Sequence, residues 1–123
     1  MVSILVSTSV PPWQLSINWL VINIPRSSVR SGQTIAQYQP PGPRYRDSKY
    51  LVLVLLQSQV LNKSSVSGYT SQLCQMGPRA NFNLRQFMTN FSLEMVVAAN
   101  FFVVDRDSYV ESIERYCEQG VHG

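Results

Sequence analysis

Histidine is almost absent from this sequence, and its scarcity excludes a large class of catalytic sites. The single histidine, His122, lies next to the C-terminal residue, where a chain normally frays. A Ser-His-Asp or Cys-His catalytic unit needs an imidazole that is held firmly against its nucleophile. We therefore expect a protein that is not an enzyme.

Glycine-rich loops and clusters of metal ligands are missing as well. No glycine-rich phosphate-binding motif occurs. Cys74 and Cys117 are the only cysteines, and their spacing fits no zinc or CxxC motif. Asp105 and Asp107 could present paired carboxylates on one face of a strand, but the pair is more typical of a charged turn before a helix N-terminus. We expect no metal and no cofactor.

The sequence also lacks long apolar segments. No run approaches the ~18 apolar residues that a transmembrane helix requires, and the apolar start over residues 2–6 is too short for a signal peptide and has no basic residues before it. We interpret both cysteines as reduced thiols of a cytoplasmic protein. The alternative is a secreted chain with one disulfide, in which the Asn-x-Ser motifs at Asn62 and Asn90 are glycosylation acceptors.

The composition indicates a single domain that spans residues 1–123. Hydrophobic residues make up 45% of the chain, which is enough for one modest core. The net charge is +3, a mild basic bias that favours anionic ligands but is common in ordinary soluble domains. We therefore expect no nucleic-acid partner.

Hydrophobic patterning predicts a mostly β fold with short peripheral helices near the C-terminus. Apolar, β-branched runs predict strands over residues 2–6, 16–24, 51–56 and 96–104. Apolar residues at helical spacing predict a short helix over residues 84–91, and a capping box at Ser108 begins a second one. The polar, serine-rich segment 62–77 is expected to be the least ordered.

A connector rich in Pro and Gly joins the strand after Asn18 to the strand after Tyr50. Pro restricts φ and Gly permits positive φ, so such a connector follows a definite path, and rigid loops on a sheet often form binding sites. Arg44, Arg46 and Lys49 alternate there with tyrosines, which favours phosphate binding. The alternative is a solvated basic loop.

Several motifs in this region and beyond it match a known protein family. Residues 19–25 read Trp-Leu-Val-Ile-Asn-Ile-Pro, residues 40–43 read Pro-Pro-Gly-Pro, residues 79–82 read Arg-Ala-Asn-Phe, and residues 97–102 read Val-Ala-Ala-Asn-Phe-Phe. In these motifs, and over nearly its whole length, the chain resembles the phosphatidylethanolamine-binding protein family, which includes Raf kinase inhibitor proteins. The resemblance implies a β-sandwich-like fold on a central antiparallel sheet and a small pocket for phosphate-like groups.

The sequence departs from the family where the pocket would lie. The family's Asp-Pro-Asp-x-Pro motif is Ser-Thr-Ser-Val-Pro over residues 7–11, its pocket histidine is Asn18, and its Gly-x-His-Arg motif ends here in Ser48-Lys49. The resemblance thus implies a degenerate ligand-binding set of Ser7, Ser9, Pro11, Asn18, Ser48 and Lys49, with Arg44 and Arg46 in an anion-attracting loop. Neutral hydrogen bonds contribute ~1 kcal/mol net, against ~1.5–3 kcal/mol for charge-assisted ones. We expect phospholipid head groups or phosphate-like anions to bind weakly or not at all.

The resemblance therefore implies a non-enzymatic, cytoplasmic binding or regulatory module that contacts a kinase or a protease. Two alternatives stay open: a structural component, such as a mitochondrial large-subunit ribosomal protein domain, and a lipid carrier that uses the basic loop. The strands that normally precede residues 2–6 in the family are absent, and their loss would leave a sheet edge unpaired.

Overall fold

Five strands form one antiparallel sheet in the computed structural model, which describes residues 1–8, 15–26, 28–39, 48–75 and 77–104. The strands are β1 (Val2–Thr8), β2 (Leu15–Ile22), β3 (Gln33–Ala36), β4 (Ser48–Leu55) and β5 (Val96–Val104). Their order in the sheet is β3-β2-β1-β4-β5, and every neighbouring pair is antiparallel. The mostly β class is confirmed. The described residues contain no second sheet, so the finer prediction of a sandwich is not shown.

Helical structure is confined to short segments. The α-helix α1 spans Leu84–Asn90, and the side chain of Asn83 caps it by accepting a hydrogen bond from the backbone N–H of Gln86 (3.0 Å). This helix was predicted from its apolar spacing, whereas the second helix predicted from Ser108 lies outside the described residues. Short 3₁₀ helices span Val29–Ser31, Lys63–Tyr69 and Gly77–Arg79.

The prediction that segment 62–77 is the least ordered is wrong. Most of its first half forms the 3₁₀ helix Lys63–Tyr69, and Val66 within it is completely buried. Asn62 caps this helix by accepting a hydrogen bond from the backbone N–H of Ser64 (3.0 Å). Val66, the ring of Tyr69 that packs on Phe82 and Phe87, and one capping side chain therefore order a segment whose composition is mostly polar.

The main cluster of buried apolar side chains lies on one face of the sheet. Alternate residues of β1, which point to the same face, are fully buried there: Val2, Ile4 and Val6. They pack with β2, β4, the 3₁₀ helix Lys63–Tyr69 and α1 in one cluster. Phe87 of α1 is completely buried in this cluster, and its ring lies 5.2–5.4 Å from three other aromatic rings. Burial of each such side chain contributes about 1.5–3 kcal/mol.

Strand β5 forms an edge of the sheet within the described part of the chain, and it is unusually exposed. Phe101 is 73% exposed, although its register partner Leu51 packs against the core. Val97 and Val103, on the same side of the strand, are each about half exposed. The core therefore does not extend across β5.

Candidate ligand site at one end of the sheet

The strand register brings three of the predicted site residues to the same end of the sheet. Ser7 near the end of β1 pairs with Ser16 of β2 and with Tyr50 of β4. Ser48 is the first residue of β4, two residues before Tyr50. Asn18 lies two residues beyond Ser16. This end of the sheet is where β1 ends and where β2 and β4 begin.

Asn18 occupies an irregularity in the pairing of β1 with β2. Leu5 pairs with Trp19, but the next residue, Val6, pairs with Ile17, so Asn18 is the extra residue on β2. Such a bulge redirects a side chain relative to the regular pleat. Asn18 is only 7% exposed, which places a polar amide inside the protein.

One oxygen of Asn18 has no hydrogen-bond partner among the described residues. Its Nδ2 donates to the backbone carbonyl of Gln39 (3.0 Å), and its own backbone carbonyl accepts from the N–H of Gln39 (2.6 Å). The Oδ1 atom is buried and unpaired. An unsatisfied buried acceptor costs about 1–3 kcal/mol, and such atoms often mark the position of a water or a ligand. Asn18 Oδ1 is therefore the chemically significant atom at this end of the sheet.

The guanidinium of Arg79 holds the surrounding backbone in place. Arg79 is fully buried, and its five N–H groups donate to five carbonyls at 2.8–3.2 Å; these belong to Ile17, Asn18, Gln37, Gln72 and Gln75. Burial lowers the pKa of this guanidinium. The side chain thereby fixes β2, the segment after β3 and the 72–75 loop around Asn18.

The sequence pattern gave no sign of this role for Arg79. An arginine is seldom fully buried, and one next to Pro78 is normally expected at the surface. No hydrophobic periodicity marks the position. Its burial depends on carbonyls that converge from distant parts of the chain, and these are visible only in the folded structure.

Cys74 is disulfide-bonded, so the prediction of reduced thiols is wrong. Its backbone N–H donates to Oε1 of Gln39 (2.8 Å), which joins the disulfide-bearing loop to the segment that contacts Asn18. The only other cysteine, Cys117, lies outside the described residues. The alternative noted from the sequence, an oxidised chain with one disulfide, agrees with this observation.

Aromatic rings cover part of the sheet face that carries Ser7. The buried ring of Tyr50 stacks on Phe102 of β5, with centroids 5.3 Å apart and planes inclined by 14°. Because Tyr50 is the register partner of Ser7, this stack lies next to the serine. The polar groups at this end are thus adjacent to an apolar wall.

The remaining predicted site residues are not brought into this arrangement. Lys49 is exposed and, as a strand neighbour of Ser48 and Tyr50, belongs to the opposite face of β4. Ser9, Pro11, Arg44 and Arg46 lie outside the described residues. Their predicted participation in a site stays a prediction.

A second concave surface lies against α1. It is an open groove with a volume of about 410 Å³, lined by Leu84, Arg85, Met88, Thr89 and Glu94. Two of these lining residues, Leu84 and Met88, are apolar, and the other three are polar. Its volume is within the range of small-molecule sites, roughly 300–1,000 Å³.

The described ranges contain no group of three or more His, Cys, Asp or Glu side chains that could hold a metal ion. No helix within them has both the length and the hydrophobicity needed to cross a membrane.

Comparison with known proteins gives two curated relatives, and no family model matches the chain. The chain is 30% identical over 106 residues to the putative odorant-binding protein A5 of Drosophila melanogaster. The matched region covers 84% of this chain and 49% of that protein. It is also 31% identical over 88 residues to a 26 kDa secreted antigen of Toxocara canis. That matched region covers 70% of this chain and 32% of the antigen. The chain thus spans about half, or less, of the length of these relatives.

The fold is similar to that of a solved protein structure. The solution structure of CG7054 superposes with a TM-score of 0.65 and 25% sequence identity, covering 93% of this chain and 68% of that one. The arrangement of the described strands is therefore similar to one found in a known protein.

These findings overturn the family assignment made from the sequence. No family model matches, and the two relatives are named for odorant binding and for secretion, not as phosphatidylethanolamine-binding proteins. The motifs behind the assignment consist largely of apolar strand residues, as in β2 and β5, which indicate sheet formation more than ligand chemistry. The regulatory role toward kinases or proteases, with its structural and lipid-carrier alternatives, depended on the same resemblance and is corrected with it.

The cytoplasmic assignment is also wrong. One relative is named a secreted antigen and the other an odorant-binding protein, and the disulfide at Cys74 is rare chemistry for the cytosol. The assignment depended on the first residues of the chain. In a chain that spans about half of its relatives, those residues carry no information about export.

Proposed function

We propose that this chain is a small-ligand-binding protein that acts outside the cell and does not catalyse a reaction. The observation that carries the proposal is the 30% identity over 106 residues to a putative odorant-binding protein. The disulfide at Cys74 supports an oxidising, extracellular environment.

The ligand that suits this end of the sheet is a small, largely apolar molecule with one hydroxyl or amine donor. Asn18 Oδ1 is a buried acceptor that a donor would satisfy. Ile17 and Leu20 pack into the core on the other face of the sheet, so the apolar wall at this end is the Tyr50–Phe102 stack next to Ser7. Apolar walls with a single polar group that fixes orientation are typical of small-molecule sites.

The same atom disfavours anionic ligands. An amide oxygen carries a partial negative charge and offers no proton, so a phosphate placed against it would be repelled. This agrees with the expectation from the sequence that phosphate-like anions bind weakly or not at all. Methyl phosphate, which has no amine donor, is therefore the anionic comparison ligand.

We propose that the chain does not catalyse a reaction because of the side chains present at the site. Asn18 and Ser7 are neutral groups that bind and orient a ligand but do not exchange protons near neutral pH. Among the described residues there is no histidine, and the acidic residue Glu94 lies in the α1 groove.

The test is displacement of the fluorescent apolar probe N-phenyl-1-naphthylamine by two matched competitors, 1-octanol and octyl methyl ether. Only the alcohol can donate to Asn18 Oδ1. We expect 1-octanol to bind about tenfold more tightly, which corresponds to about 1.4 kcal/mol. Methyl phosphate should displace little probe.

Substitutions at Asn18, Thr34 and Met88 test where the ligand binds. Asn18→Leu should abolish the preference for the alcohol, whereas Asn18→Gln, which keeps both the amide oxygen and an N–H donor for the carbonyl of Gln39, should retain part of it. Thr34→Val, an exposed change on β3, is the matched control and should behave as the unmodified chain. Failure of the probe to bind would contradict the ligand-binding function. Equal binding of both competitors would remove Asn18 from it, and loss of binding in Met88→Glu alone would move the site to the α1 groove.

A further inference from the structure

Two Asn-x-Ser motifs have no part in ligand binding, one at Asn62 and one at Asn90. In an exported chain, the side-chain amide nitrogen of such a motif accepts an oligosaccharide, and the product must lie at the protein surface. The inference below rests on the proposed extracellular function, because only an exported chain meets the sugar donor.

The side chain of Asn62 is arranged with its oxygen bound and its nitrogen unbound. Its Oδ1 accepts hydrogen bonds from the backbone N–H of Ser64 (3.0 Å) and from the Ser64 hydroxyl (2.9 Å). Asn62, Lys63 and Ser64 are all exposed. The Nδ2 atom has no hydrogen-bond partner among the described residues, so a group attached to it would displace no contact of the protein.

Asn62 lies at the end of the sheet opposite to Asn18. The preceding residue, Leu61, exchanges two hydrogen bonds with the side chain of Asn23, at 2.8 and 2.9 Å. Asn23 follows the last residue of β2, whereas Asn18 lies in its first half. At about 3.3 Å per residue, roughly 15 Å separates these two asparagines. A glycan on Asn62 would therefore leave the candidate ligand site uncovered.

The motif at Asn90 has a less open setting. Asn90 is the last residue of α1, and the middle residue of its motif, Phe91, is half-buried against Phe87 with ring centroids 5.2 Å apart. Asn90 also follows Met88 and Thr89, which line the apolar groove on α1. A bulky hydrated group there would lie beside the apolar groove, whereas at Asn62 it would extend from the exposed polar run of residues 62–65.

We propose that Asn62 is an N-glycosylation site. The Nδ2 atom of Asn62 forms a bond to C1 of the sugar of a lipid-linked oligosaccharide diphosphate, and the C1–O bond to the diphosphate breaks. The lipid diphosphate leaves with the electron pair of that bond and takes up the proton that Nδ2 loses. The product is a neutral secondary amide, and Oδ1 keeps its two hydrogen bonds to Ser64.

The test uses the chain produced behind a cleavable secretion leader in insect cells and collected from the medium. Intact mass is measured before and after treatment with peptide N-glycosidase, which should remove one glycan and convert Asn62 to Asp. Asn62→Gln and Ser64→Ala should both remove the glycan. Ser64→Thr, which keeps the hydroxyl of the motif, and Asn90→Gln should retain it, and Ser65→Ala is the matched control outside the motif.

Two outcomes would overturn the inference: a secreted chain with the mass of the bare polypeptide, and a glycan that disappears in Asn90→Gln but persists in Asn62→Gln. Octanol binding by the same samples separates this inference from the proposed function. A chain that binds octanol but carries no glycan contradicts only the glycosylation site. A chain glycosylated at Asn62 that binds no ligand contradicts only the ligand-binding function.

Discussion

The guanidinium of Arg79 donates to the backbone carbonyl of Asn18 at 3.2 Å, across 61 positions of sequence. This contact joins the residue that carries the unpaired acceptor to the side chain that fixes its surroundings. Because Arg79 also binds carbonyls on two other segments, one side chain joins Asn18 to both of them.

Replacement of Arg79 by lysine should lower the free energy of unfolding by about 2–6 kcal/mol. Lysine has three N–H donors where arginine has five, so at least two buried carbonyls lose their partner, at about 1–3 kcal/mol each. Urea denaturation measures the change. Arg85→Lys, an exposed substitution on α1, should alter stability by no more than about 0.5 kcal/mol. Equal stabilities of the two variants would refute the role of the five hydrogen bonds.

The oxidation state of the cysteines should be visible by alkylation. The chain contains two cysteines, and with Cys74 in a disulfide we expect no iodoacetamide adduct on the native protein and two adducts after denaturation and reduction. Reduction should lower the free energy of unfolding by about 2–4 kcal/mol. Two adducts without reductant would restore the reduced-thiol interpretation, and migration as a dimer on a non-reducing gel would indicate an intermolecular bond.

Alanine substitution of two phenylalanines, one buried and one exposed, tests how far the core extends. Phe87 is completely buried among aromatic rings, and Phe87→Ala should cost about 3–5 kcal/mol. Phe101 is 73% exposed, and Phe101→Ala should cost no more than about 0.5 kcal/mol. Thermal or urea unfolding of both variants measures the difference. A large cost at Phe101 would show that this ring is covered in solution.

The exposed apolar side of β5 should promote self-association. Val97, Phe101 and Val103 are exposed on one side of an edge strand, and such edges pair with other chains unless charged residues block them. We expect sedimentation velocity to show a larger species as concentration rises, and Phe101→Lys to suppress it. A monodisperse monomer across the whole concentration range would contradict this expectation.

Much of the secondary structure could be predicted because the signals are local. The β5 strand has the bounds that its apolar run indicated, and α1 follows from apolar residues at helical spacing. Strand β3 was missed because it is only four residues long and begins with the exposed pair Gln33 and Thr34. The position of β1 between β2 and β4 depends on long-range pairing, which no local pattern encodes.

The candidate site was harder to predict than the strands. Asn18, Ser7 and Ser48 were named from a resemblance, and the register brings them to one end of the sheet. The position of Asn18 depends on the bulge and on the contact of its backbone carbonyl with Arg79, and neither has a sequence signature. The disulfide depends on the spatial position of Cys74, for which spacing along the chain gave no guide.

Every acceptor that Arg79 uses is a main-chain oxygen, and main-chain oxygens are the same whatever residue bears them. The residues at these positions, such as Gln37, Gln72 and Gln75, can therefore be substituted during evolution without loss of the hydrogen bonds to Arg79. Proteins that keep these hydrogen bonds can therefore differ widely in the side chains around the site. They can change the ligand that they bind while they keep the same backbone arrangement.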